Sequence, residues 1–214
     1  LFEWFEYYLQ GRGPQPEYTA QIQRSDGEWR VEDTWPPIDS EDYLFDLGDC
    51  GNDGAFTGGL PVIGGGAPVV GGGQTVTVEC PEINPDFPMH ISGLVTLHLS
   101  AVPTFDGGQI FVEMQNMETG ARIGHATMDV RYHEGGYEPQ TVVPGQEITM
   151  MMEFQAIDAI VKPGQGIRFI LSDTGEDYLA PACGSACTVH VLTSLSEANF
   201  PLIERGQKTI LEVP

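Results

Sequence analysis

Cysteines, histidines and one acid-rich loop are the residues whose types could do chemistry in this 214-residue chain. Cys50, Cys80, Cys183 and Cys187 allow three disulfide connectivities, and Cys50–Cys80 with Cys183–Cys187 is the pairing expected. A zinc site would want Cys-x2-Cys pairs or histidines at ligand spacing, whereas the close pair here is Cys-x3-Cys, with no histidine beside it. Disulfides would imply an oxidising, extracytoplasmic compartment, with free buried thiols the alternative. The loop Asp-Leu-Gly-Asp-Cys-Gly-Asn-Asp-Gly supplies Asp46, Asp49, Asn52 and Asp53, hard oxygen donors of the kind calcium prefers. It lacks the spacing of an EF-hand, so a solvated turn stands beside a structural calcium ion as a reading, and no other cofactor is expected.

Nucleophilic chemistry finds less support. An α/β-hydrolase needs its serine on a Gly-x-Ser-x-Gly elbow, because that sharp turn exposes the hydroxyl to its base. No serine of this chain sits in one, and Gly184-Ser185-Ala186-Cys187 reads as a disulfide-stapled loop. His-Glu-x-x-His, a P-loop and Gly-x-Gly-x-x-Gly are all absent. His90, His98, His125, His133 and His190 form no pair at metal spacing. A catalyst in its own right would have to use Ser185 or His133 in an unfamiliar arrangement. Trp29, Trp35, Tyr132 and Tyr137 could stack on a sugar, although aromatic residues more often pack in a core.

These side chains must be positioned by a strongly acidic globular domain. Acids outnumber bases 31 to 9, for a formal charge of -22, and a surface of that sign repels phosphate backbones. Nucleic acid is excluded as a partner. Such an excess destabilises the compact state by self-repulsion unless counter-ions screen it, which points to a salt-rich milieu. No run of apolar residues approaches the roughly 18 that a membrane helix needs. A homo-oligomer is compatible with this composition.

The opening Leu-Phe-Glu-Trp-Phe-Glu-Tyr-Tyr-Leu places Leu1, Phe2, Phe5, Tyr8 and Leu9 on one helical face, and Gly11 and Gly13-Pro14 stop the run. A helix this short cannot hold alone in water, so the face predicts packing against another body, here a domain preceding the chain. The start at Leu1 rather than Met reads as part of a longer polypeptide. A hairpin is predicted across Asp26-Gly27, then strands at Tyr43–Leu47, Thr75–Cys80, Gly93–Ala101, Gln109–Met117, Ile123–Tyr132, Glu147–Ile157, Gly166–Ser172 and Thr188–Leu192. Gly48–Gly73 is a long Gly-rich stretch that cannot be a regular helix. Nine or ten strands at this spacing, with no long helix between them, predict an all-β sandwich or barrel.

The residue order carries a resemblance as well. Trp-Phe-x-x-Tyr-Leu-x-Gly (Trp4–Gly11) and Glu-Trp-Arg-x-x-x-x-Trp-Pro-Pro (Glu28–Pro37) resemble the junction between catalytic and C-terminal domains in serine hydrolases of the X-Pro dipeptidyl-peptidase and cocaine-esterase type. Ile91–Leu99, Asp129–Tyr132, Val142–Gln146, Val161–Ser172 and Ala198–Ile203 follow in that family's order, so the resemblance spans essentially the whole chain. It implies a jelly-roll, galactose-binding-like β-sandwich over residues 14–214, preceded in residues 1–13 by the last helix of an α/β-hydrolase domain that carries the Ser-Asp-His triad. The implied function is a non-catalytic module of a secreted or cell-surface hydrolase. Phe2, Trp4, Phe5 and Leu9 would then form the interdomain face, and Val62, Ile63, Val69 and Val70 would line the substrate pocket, unless they belong to an ordinary surface loop. The family's Pro-Gly-His is Pro163-Gly164-Gln165 here, which predicts the loss of a polar handle. A free-standing carbohydrate- or partner-binding module is the alternative.

Overall fold

The computed structural model describes residues 2–16, 20–50, 53–57, 75–80, 88–175, 178 and 187–203. Within them one helix, α1 (Phe2–Gln10), precedes fourteen strands. The strands are β1 (Ala20–Gln23), β2 (Trp29–Glu32), β3 (Glu41–Asp46), β4 (Gly54–Thr57), β5 (Val76–Cys80), β6 (Met89–Gly93) and β7 (Thr96–Pro103). There follow β8 (Gln109–Asn116), β9 (Arg122–Asp129), β10 (Ile148–Glu153), β11 (Ile157–Val161), β12 (Ile167–Ser172), β13 (Thr188–Val191) and β14 (Glu197–Leu202).

Alternation of buried and open positions builds two facing sheets. β5 and β10 bury every second residue, and β12 does the same with half-open positions between, so each gives one apolar face to the interior. One sheet runs β5-β12-β8-β9. The larger runs β11-β6-β14-β7-β13-β4, with β10 added to β7 and β3 to β14, and every pairing is antiparallel. It branches at β7, where β10 takes one edge while the other is shared by β14 through Thr96–His98 and β13 through Ala101–Pro103. Between the sheets lie Leu97, Leu99, Ile110, Met114, Met150 and Met152, with Phe169 in ring contact with both Phe154 and Phe200. The result is the all-β sandwich behind one short helix that the strand pattern predicts.

Four strands exceed the expected set. The run Glu147–Ile157 is not one strand: the chain turns at residues 154–156, where Phe154 N–H donates to the Val95 carbonyl, and Ile157–Val161 pairs with β6 instead. β6 itself holds His90 and Ser92 on its non-core side and shows no clean alternation of apolar residues. β14 contains Pro201, a residue that argues against a central strand. β4 lies inside the Gly-rich stretch and offers two small residues, Gly54 and Ala55.

Close backbone approach explains two glycines. Gly93 sits at φ +144, and a Cβ there would lie 3.0 Å from Pro201 and 3.3 Å from Pro36. A Cβ on Gly175 would stand 2.4 Å from the Phe111 ring, so the turn after β12 seals that ring only because it lacks a side chain.

Candidate functional site

A helix forms where the spacing predicts one, as α1, with Leu1 outside the described residues. Trp4 and Tyr8, one turn apart, lie 5.0 Å between ring centroids, and Trp4 meets Phe5 edge-on at 5.5 Å. These contacts stay within the helix. No α1 residue is buried, and Phe2, Trp4, Phe5, Tyr8 and Leu9 are 74%, 44%, 41%, 50% and 67% exposed. A nine-residue helix gains little from propensity, and the described part of the sandwich leaves this apolar stripe open.

The cysteine loop is stapled as expected at one end. Cys50 and Cys80 form a disulfide that joins the turn after β3 to the end of β5. Cys187 is also disulfide-bonded, while Cys183 lies outside the described residues. Asp46 caps the 3-10 turn Leu47–Asp49 by accepting the Gly48 N–H at 2.8 Å. Asp53 accepts the Ser194 N–H and the hydroxyls of Thr193 and Ser194, each at 3.2 Å, and these bonds, the backbone one first, hold its carboxyl below the usual carboxylate range. Among the described residues no group of three His, Cys, Asp or Glu side chains is placed to hold a metal. Val62, Ile63, Val69 and Val70 lie outside the described residues, as does Ser185.

The histidines scatter. His133 Nδ1 is 2.9 Å from the Val130 carbonyl within its own turn, and His125 is buried against Phe111 and Tyr178. No ring contact joins Trp29, Trp35, Tyr132 or Tyr137 to one another. Gln165 ties two turns together, its Oε1 accepting from Asn116 Nδ2 at 3.1 Å and from the Lys162 N–H at 2.9 Å.

A buried ionic network escapes sequence reasoning. Arg30 on β2 donates from Nε and Nη2 to the two Asp158 oxygens on β11 at 2.8 and 3.0 Å, and from Nη2 to Ser92 Oγ at 2.5 Å. Its Nη1 faces Glu32, and His90 Nε2 lies 2.7 Å from Asp158 Oδ1. Burial alone would raise the Asp158 pKa, but hydrogen bonds from His90 and Arg30 outweigh it and bring the carboxyl down to about 2. Ser25 adds to the junction, donating its N–H to the Asp158 carbonyl at 2.8 Å. The network bolts the β1–β2 hairpin onto β6 and β11. Its only signal in the sequence is an aspartate inside the otherwise apolar run Ile157–Val161.

A family model described as the X-Pro dipeptidyl-peptidase C-terminal non-catalytic domain matches residues 86–211, more than half of the chain. No curated protein sequence matches. Among solved structures, an aminopeptidase from a marine sediment Thaumarchaeota archaeon is similar over 95% of this chain and 43% of its own, with a TM-score of 0.68 at 11% identity. A CocE/NonD family hydrolase from Staphylococcus aureus is similar over 94% of this chain and 44% of its own, with a TM-score of 0.58 at 10% identity. The chain thus spans less than half the length of either structure, and identities this low show a shared fold.

Proposed function

Because this chain belongs to the family of X-Pro dipeptidyl-peptidase C-terminal non-catalytic domains, we propose that it packs on the α/β-hydrolase domain of a serine peptidase or esterase, and does no chemistry itself. The observation that carries this reading is the aromatic stripe of α1, which the sandwich leaves uncovered. In this reading residues 1–13 close the catalytic domain and residues 14–214 form the accessory sandwich. Secretion is part of the same proposal, supported by the Cys50–Cys80 disulfide.

The test is co-expression of this chain with the α/β-hydrolase domain that this reading expects as its partner. A stable complex is expected, in which a serine-reactive fluorophosphonate labels the catalytic partner and leaves this chain unlabelled. Trp4→Ala with Phe5→Ala should weaken association at least tenfold. Association untouched by the double substitution, or labelling of this chain, overturns the proposal.

A further inference from the structure

The β1–β2 hairpin is attached to the sandwich by contacts of a different kind from those that hold the two large sheets together. It forms a two-stranded sheet of its own and shares no ladder with either of them. Of the residues from Ala20 to Glu32, only Arg30 and Glu32 are buried, and both are charged. Ala20 and Ile22 pair with them in register and are half-buried, and the hydrophobic core draws no residue from the hairpin. Besides the bonds of Arg30 to Asp158 and Ser92, the ties are made at the tip. There Ser25 donates its N–H to the Asp158 carbonyl at 2.8 Å and accepts the Ile160 N–H on its Oγ at 3.3 Å. Past the hairpin the chain is pinned again, where Pro37 is buried and Pro36 lies against Gly93.

Docking of this kind is conditional. Closing the hairpin strips water from Arg30, Glu32 and Asp158, and pairing offsets that cost with little surplus, whereas an apolar face gains in proportion to its buried area. The charges recover their water when the hairpin lifts. The sheets beneath keep their own core, to which the hairpin adds nothing. A two-stranded hairpin is marginal in water, so its ladder dissolves once it leaves the sandwich. The reach of the chain then changes. Ala20 and Glu32 are register partners, which holds the two ends of the hairpin about 5 Å apart, whereas the same stretch drawn out spans up to roughly 40 Å.

We propose that the β1–β2 hairpin is a strap clipped by ions, which opens as one unit from an intact sandwich and lengthens the tether between α1 and β3. The opening is a property of this chain alone, and its bearing on the interdomain reading is the reach it gives α1.

Native-state hydrogen exchange of the whole chain in rising urea, read beside trypsin cleavage, tests it. The amides of β1, β2, Ser25 and Ile160 are expected to exchange together, at least a hundredfold faster than those of β8 and β12 and with a shallower dependence on urea. Trypsin should cut after Arg30, which is buried while the strap is closed, at least tenfold faster than after Arg168 on β12. Asp158→Asn should speed both hairpin readouts at least tenfold while β8 and β12 stay protected, a separation that misfolding would not produce. Hairpin and β12 amides exchanging at one rate with one urea slope, cleavage after Arg30 no faster than after Arg168, hairpin readouts unchanged by Asp158→Asn, or protection lost throughout that variant each overturns the proposal. No readout involves α1 or a catalytic partner, so its failure leaves the interdomain reading standing.

Discussion

Asp158 holds a negative charge at a position where the fold has taken its water away. Its His90 and Arg30 partners hold the carboxyl at about 2 in the fold, below the ordinary 3.8 of the unfolded chain, so the folded chain binds fewer protons between those values. The stabilisation is therefore complete above about pH 4 and is lost as pH falls towards 2, amounting to about 2 kcal/mol. Urea unfolding across pH 5 to 2 should show this loss. Asp158→Asn should flatten that dependence, and at pH 7 it should cost about 3–5 kcal/mol, because Arg30 would be left buried without its main counter-charge. A variant that unfolds at the same urea concentration as the parent chain would show that the hairpin is held by packing instead.

Two elements carry opposite expectations. The Cys50–Cys80 disulfide closes a loop with a sequence separation of 30, and chain-entropy arguments put its contribution at about 3–4 kcal/mol. Cys50→Ser with Cys80→Ser should lower the melting temperature accordingly, and an unchanged value would show that the loop ends stay together without the bond. α1 should behave in the other way. Since none of its residues is buried, Trp4→Ala with Phe5→Ala should leave the unfolding of the sandwich within about 0.5 kcal/mol of the parent chain while weakening association with a catalytic domain. The strands differ in how openly they announce themselves. β7, β8, β10 and β12 read directly from alternation, whereas β6, β11 and β14 draw their stability from strands distant in sequence and carry a histidine, an aspartate or a proline that local patterning treats as a break.

The whole molecule is governed by its charge. Four of the seven described cations are already committed to ion pairs, and 31 acids against 9 bases leave a large uncompensated negative charge on the chain. Self-repulsion of that kind is screened as the Debye length shrinks from about 10 to 3 Å between 0.1 and 1 M salt. The melting temperature should rise over that range, and a flat profile would mean that the charges are spaced too widely to matter.

Period-2 hydrophobicity and turn residues were enough to read an all-β sandwich behind a short helix, because each is a local property of the chain, whereas Cys50–Cys80 was one of three connectivities that the sequence left open. The Arg30–Asp158–His90 network was not legible in the same way. Arg30 and Asp158 are 128 positions apart, and nothing local to either residue indicates the other. Its chemistry arises only when the hairpin folds onto β6 and β11, since desolvation and proximity are set by packing between distant segments.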